Sequence, residues 1–166
     1  FSSLFLVSVS FIVGTLLGII SAYYGGFIDT LIMRIVDIML AFPQMVLAIA
    51  VAGILGGSLV NAMIATGITS WTLYARLARS HTLRIKNEAF IAAARLNRCS
   101  DSCIIRRHIF PNIMPSLLIN ALTQIGTTLM AIAGLSFLGL GVSPPNAEWG
   151  SMISEARAYM QISPMS

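Results

Sequence analysis

Three long stretches of this 166-residue chain, residues 1–28, 38–75 and 109–147, contain no Asp, Glu, Lys, Arg or His. Each exceeds the roughly 20 residues with which a helix crosses about 30 Å of hydrocarbon. A water-soluble domain needs polar residues at a helical or strand period to form its outer surface, and these stretches largely lack them. Only 10% of the residues are charged and 57% are hydrophobic, whereas soluble domains carry about 25% charged residues. The pattern excludes most soluble folds. It predicts an all-α, polytopic transmembrane helix bundle whose outer surface is solvated by lipid.

Residues 1–22 read as one span, closed by Tyr23 and Tyr24 as an aromatic interface pair and by Gly25 and Gly26 as a turn. Ser10, Gly14, Gly18 and Ala22 recur every four residues and lay small side chains along one face, so a neighbouring helix can approach closely. Residues 38–75 would reach about 57 Å as one helix, too far for one ordinary crossing. Gly53, Gly56, Gly57 and Ser58 mark a turn between spans at 38–55 and 60–77. Pro43 falls in the first turns of the earlier span, where it is tolerated or makes a kink. Pro111 and Pro115 bracket the entrance to a fourth span at 116–133.

Within that fourth span Asn120, Thr123, Gln124 and Thr127 sit at i, i+3, i+4 and i+7, which makes one helical face polar. Such a face in lipid must meet a partner or water, so it packs between helices or lines an aqueous passage. The glycine-dense segment 134–145 ends in two prolines and is too short to span, so a re-entrant or interfacial turn is expected. The tail after it, with Glu148, Trp149, Glu155, Arg157 and Tyr159, reads as an amphipathic surface segment.

Eight of the ten basic residues lie between Arg76 and His108, opposed there only by Glu88 and Asp101. A basic cluster beside membrane spans marks a cytoplasmic loop. The loop, at 78–110, is short and poor in aromatic residues, which argues against nucleic-acid binding. Cys99 and Cys103 lie in it, and a reducing cytoplasm would keep them as thiols. With this loop inside, the region around Asp29 to Asp37 is a second cytoplasmic loop, and segment 134–166 and Phe1 lie outside. Neither an initiating Met nor a basic leader precedes the first apolar run. The simplest expectation is a piece of a longer polytopic protein.

In the basic loop, Asn87 can cap a helix over 88–97 that is rich in alanine, and residues 98–100 break it. Ser100 can cap a second helix, which starts with Asp101 at its positive end and finishes with Arg106, Arg107 and His108 at its negative end. Pro111 stops it. This helix-turn-helix leaves Phe90, Ile91, Ile104 and Ile105 to pack against a partner.

The run NEAFIAAARLNRCSDSCIIRRHIFPNIMPSLL resembles the EAA loop of permease subunits in bacterial ABC importers. YYGGFIDTLIMRIVDIMLAFP and GLSFLGLGVSPPNAEWG look like the second permease of that family's peptide and nickel branch. The resemblance covers most of the chain, from about Gly14 to Tyr159. It implies a six-span subunit of the bacterial inner membrane, of which about four spans are present. It also implies a homologous second permease, ABC ATPase subunits that hold the ATP and Mg, and an external substrate-binding protein. The substrate would be a peptide, with nickel or a nickel chelate as the alternative.

By the same resemblance, the helix around Ala92, Ala93 and Ala94 docks into a cleft of the ATPase. Small alanines allow close approach, Phe90 can fill a pocket, and Arg95 and its basic neighbours can pair with an acidic rim. Glu88, Arg98, Asp101, His108 and Pro111 complete the coupling loop. Two positions depart from the family pattern. Its glutamate falls at Ala92, and its glycine falls at Arg98, where a turn favours a residue tolerant of positive φ.

Other classes fit the residues less well. The only histidines are His81 and His108, and no Ser or Asp is placed to make a triad with them, so no catalytic residue is expected. Cys99, Cys103 and His108 would supply three ligands without a fourth, and small apolar packing explains the cysteines better than a metal site. A channel or secondary transporter would carry ionisable groups at membrane depth, and the expected spans hold none. No GxxxxGK[ST] loop is present and no cofactor is expected on this chain, so ATP hydrolysis would fall to a partner.

Overall fold

The computed structural model describes residues 2–56 and 58–140, together with 150, 152, 153 and 156. Among these the regular structure is helical. It comprises α1 (Ser2–Tyr24), α2 (Gly26–Leu40), α3 (Gln44–Leu55), α4 (Leu59–Lys86), α5 (Ala89–Leu96), α6 (Asp101–Ile104), a π-helical turn (Ile105–Ile109) and α7 (Phe110–Phe137). Ser3–Tyr24 and Asp101–Phe137 are long and apolar enough to cross a membrane, and α2 with α3 makes a third such stretch if the pair is one broken span. The readings on 141–149 and most of the tail lie outside the described residues.

The helices agree with the apolar pattern, but several expected boundaries move. The region around Asp29 to Asp37 is not a loop. It is the body of α2, because its two aspartates fall on a helix that has partners for them. Asp29 and Asp37 pair with Arg79 and Arg76 of α4. The expected span 38–55 is broken at 41–43, where Pro43, extended at φ −54 and ψ 126, caps α3 without donating an N–H. The turn after α3 is made at Gly56, whose φ of 88 favours glycine. The expected span 60–77 forms part of the 28-residue α4, which runs on to Lys86.

Pro111 does not stop the helix that follows Ser100. A π-helical turn intervenes, Phe110 N–H bonds to Ile105 O, and Pro111 enters α7 at a first-turn position where no donor is needed. Pro115 also lies inside α7, which continues through the first residues of the segment expected to be a turn, as far as Phe137.

The contacts divide the chain into two compact units. One comprises Phe1–Val7, Phe42–Thr69 and Gln124–Ser166; the other comprises Ser8–Ala41 and Ser70–Thr123. In the first, Ala48 and Ala52 of α3 bury against Ala62 and Ala65 of α4 and Leu135 of α7. Small side chains of this kind bring helices close in lipid, where no hydrophobic effect drives them together. In the second unit the same principle joins α1 to α4. A Cβ on Gly14 would run into the Trp71 carbonyl oxygen and come within 2.7 Å of Tyr74 Cβ, and one on Gly18 would come within 2.8 Å of Ala78 Cβ. Ser10 and Ala22 of the same stripe are buried, and Phe11 meets Tyr74 edge to face at 5.5 Å between ring centroids. Around this seam Ile19, Tyr23, Ala78, Ile91, Ile104, Ile109, Ile113 and Leu117 form one core.

Candidate functional site

Helix α5 stands at the centre of the basic loop. Its N-cap is Glu88 and not Asn87. Glu88 is extended, at φ −73 and ψ 149, and its carbonyl receives the first helical N–H groups. Asn87 instead turns its side-chain amide back toward Leu83 O at 3.4 Å. Ile91 and Ala94 face inward and are buried, whereas Phe90, Ala92, Ala93, Arg95 and Leu96 face outward. The amphipathic period therefore corrects two expectations. Ile91 and Ile104 are not available to a partner, and Ala94 belongs to the inner face. Leu96, 84% exposed, is an outward apolar residue that the sequence reading missed. Its signal was there, an apolar side chain four positions after Ala92 and three after Ala93.

The helix ends in a Schellman motif: Cys99 N–H reaches Ala94 O at 3.1 Å and Arg98 N–H reaches Arg95 O at 3.0 Å. The residue in the left-handed position is Arg98, at φ 57. Positive φ at this turn agrees with the glycine that the resembled family places there. Ser100 then caps α6 as expected, its Oγ accepting from Cys103 N–H at 3.3 Å.

The turn brings Cys99 and Cys103 together with their Cα atoms 5.9 Å apart, within reach of a disulfide. No group of three or more metal-binding side chains converges among the described residues. A groove of about 360 Å³ runs beside α5, lined by Phe90, Ala93, Ala94, Asn97, Cys99 and His108. The Phe90 and His108 rings lie 6.2 Å apart. Pro111 sits one helical turn beyond His108, at the start of α7.

The loop is fastened to the end of α1 through Tyr23, 6% exposed. Tyr23 Oη donates to Asp101 Oδ1 at 2.6 Å. Lys86 Nζ donates to Ala22 O at 3.2 Å and also to Tyr23 O, which satisfies carbonyls left open at the helix terminus. The Lys86 ammonium and the Arg95 guanidinium lie 5.6 and 5.9 Å from the Tyr23 ring centroid, within cation–π range. His81 Nε2 and Ser116 Oγ, 3.0 Å apart, tie α4 to α7.

The polar stripe on α7 divides in its surroundings. Asn120 and Thr123 bond their side chains to carbonyls four residues back, Ser116 O at 2.9 Å and Ile119 O at 3.1 Å. Gln124 and Thr127 line a cavity of about 170 Å³ with Gln44, Thr66, Thr69 and Thr128. Sequence reasoning found two of these six polar lining residues, Gln124 and Thr127. The threonines of α4 were missed although Thr66, Thr69 and Ser70, at i, i+3 and i+4, share one helical face.

The family described as "Binding-protein-dependent transport system inner membrane component" matches residues 14–163. The dipeptide transport system permease protein DppC of Alkalihalophilus pseudofirmus is 45% identical over 160 residues, 96% of this chain and 53% of that protein. The glutathione transport system permease protein GsiD of Escherichia coli is 46% identical over 163 residues, 98% of this chain and 54% of that protein. GsiD of Pectobacterium atrosepticum is 42% identical over the same length. The chain thus spans about half the length of the curated relatives it matches.

Proposed function

Because this chain belongs to the family of binding-protein-dependent transport system inner membrane components, we propose that it is a permease subunit of an ATP-driven importer of small peptides. It carries no chemistry of its own. It supplies part of the path through the bacterial inner membrane and takes its driving force from a separate ATPase that holds the ATP and Mg. A homologous second permease completes the path, and an external binding protein delivers the substrate. The relatives' names speak for a peptide, glutathione being one. Neither speaks for nickel.

The observation that carries this reading is the two-faced build of α5. Its outer face presents Phe90, Ala92, Ala93 and Leu96, with Arg95 among them, while Ile91 and Ala94 root it in the core that holds α1, α4 and α7. An element that is apolar outside, cationic at its edge and rigidly seated inside is built to receive a push from a docked partner and pass it to the spans. In this reading Glu88 sets the start of α5, Arg98 its end and Asp101 its anchor, and His108 walls the groove beside it.

The test is uptake into proteoliposomes that contain the assembled transporter and its binding protein. Alanylalanine should accumulate with ATP inside and no ion gradient. Accumulation driven by a proton or sodium gradient, indifferent to ATP, would overturn the reading in favour of a secondary transporter.

A further inference from the structure

The cavity of about 170 Å³ beside α7 has a lining whose chemistry is specific. No charged side chain contributes to it. Met45, Ala48 and Ala131 form its apolar wall, and Gln44, Thr66, Thr69, Gln124, Thr127 and Thr128 supply carboxamides and hydroxyls. Three of the hydroxyls are already committed as donors: Thr66 to Ala62 O at 2.8 Å, Thr69 to Thr66 O at 2.9 Å, and Thr127 to Gln124 O at 3.0 Å. Two lining groups remain unsatisfied. Thr128 is 3% exposed and its Oγ1 has no hydrogen-bond partner. Among the described residues none hydrogen-bonds the Gln124 carboxamide, which makes it the least satisfied group of the α7 stripe.

An unpaired carboxamide and an orphaned hydroxyl at membrane depth are costly unless something arrives to meet them. The size and chemistry of the cavity limit what that is. A void of about 150 Å³ holds a benzene molecule, so this one takes six or seven heavy atoms, about one peptide unit with its flanking Cα atoms. The uncharged lining has no counter-ion for an ammonium or a carboxylate, so a substrate's termini stay outside it. A primary carboxamide offers one acceptor and two donors, the complement of a peptide unit's N–H and C=O. We propose that this cavity is a subsite that holds one peptide unit of the passing substrate, with the Gln124 carboxamide as its principal hydrogen-bonding group and Met45, Ala48 and Ala131 against its apolar side. The proposal rests on the peptide-importer reading.

The test uses the complete transporter assembled with this chain's sequence, in proteoliposomes with ATP inside. It is offered labelled alanylalanine and its ester analogue alanyl-lactate, in which the single amide N–H is replaced by oxygen. The parent should import the amide about tenfold faster than the ester, since a site built to hydrogen-bond a group rejects the analogue that lacks it. Gln124→Leu should bring that ratio close to one, the amide N–H no longer being recognised. Gln124→Asn keeps the amide but withdraws it by one methylene, and an intermediate ratio is expected; this variant carries the test if Gln124→Leu does not assemble. A Gln124→Leu transporter that keeps the parental ratio overturns the subsite and leaves peptide import standing, and so does a parent that imports both compounds equally. A parent that imports neither compound removes the peptide reading and the subsite together.

Discussion

Arg98 holds the left-handed backbone position at the end of α5, a conformation that costs a non-glycine residue about 1 kcal/mol or more. Arg98→Gly should therefore stabilise the loop by about 0.5–1 kcal/mol, after allowing for the greater freedom of glycine in the unfolded chain. A rise in the thermal denaturation midpoint of the detergent-solubilised protein would register it; a fall would show that the guanidinium contributes more than the backbone loses. Tyr23 works in the other direction. Its hydroxyl donates to an exposed carboxylate at 2.6 Å, so Tyr23→Phe should loosen the loop by about 1.5 kcal/mol, the lower end of the range for hydrogen bonds to charged groups. Amide exchange should accelerate over 89–104 and stay unchanged in α4; uniform acceleration would instead mean global destabilisation. The Ser100 cap was legible in the sequence because it follows from local backbone chemistry, and positive φ at Arg98 was expected from the glycine that the resembled family places there. It did not tell the inward from the outward residues of α5, because an eight-residue helix shows its faces only once a core lies on one side. That is why Ile91 and Ile104 were assigned to a partner and Leu96 was overlooked.

At the scale of elements, the seam between α1 and α4 depends on two missing side chains. Gly14→Ala would press a methyl against backbone atoms of α4, which cannot yield as a flexible side chain does. The expected loss is about 1–3 kcal/mol, as for other over-packed contacts. Gly53→Ala, at a position with open space around it, is the matching control, and equal effects of the two on the denaturation midpoint would contradict the seam. Helix α2 is held to α4 by the bidentate Arg79–Asp29 pair at 2.6 Å, with Ser21 Oγ also donating to Asp29. A double-mutant cycle with Asp29→Asn and Arg79→Gln should return a coupling of about 1 kcal/mol, the pair being only partly shielded from solvent. A coupling near zero would mean that α2 is held by its apolar face alone. The small-residue stripe announced the α1 seam in advance. The α2 helix was hidden because its three charges read as a loop between spans until Arg76 and Arg79 supplied partners. Pro111 likewise read as a stop because a π-helical turn, which sequence pattern does not encode, shifts the hydrogen-bond register so that the missing donor goes unnoticed.

The molecule as a whole is an all-α membrane protein, and that much follows from three charge-free stretches, since lipid leaves the backbone few choices. Count and boundaries of the spans were less legible, because apolar length does not separate one long helix from a pair broken at a proline. The polar stripe of α7 was legible as a face but not as a cavity, since Thr66, Thr69 and Gln44 reach it from other parts of the sequence. The central claim is that the outer face of α5 meets the ATPase on the cytoplasmic side. The most direct measurement places a thiol there by Ala93→Cys, with Cys99→Ser and Cys103→Ser to remove the native sulfurs, and treats the assembled, ATP-hydrolysing transporter with a short bifunctional thiol reagent. The account predicts a crosslinked product of this subunit with the ATPase and no labelling of intact cells by an impermeant maleimide. Labelling from outside, with no crosslinked product in the active complex, would contradict it.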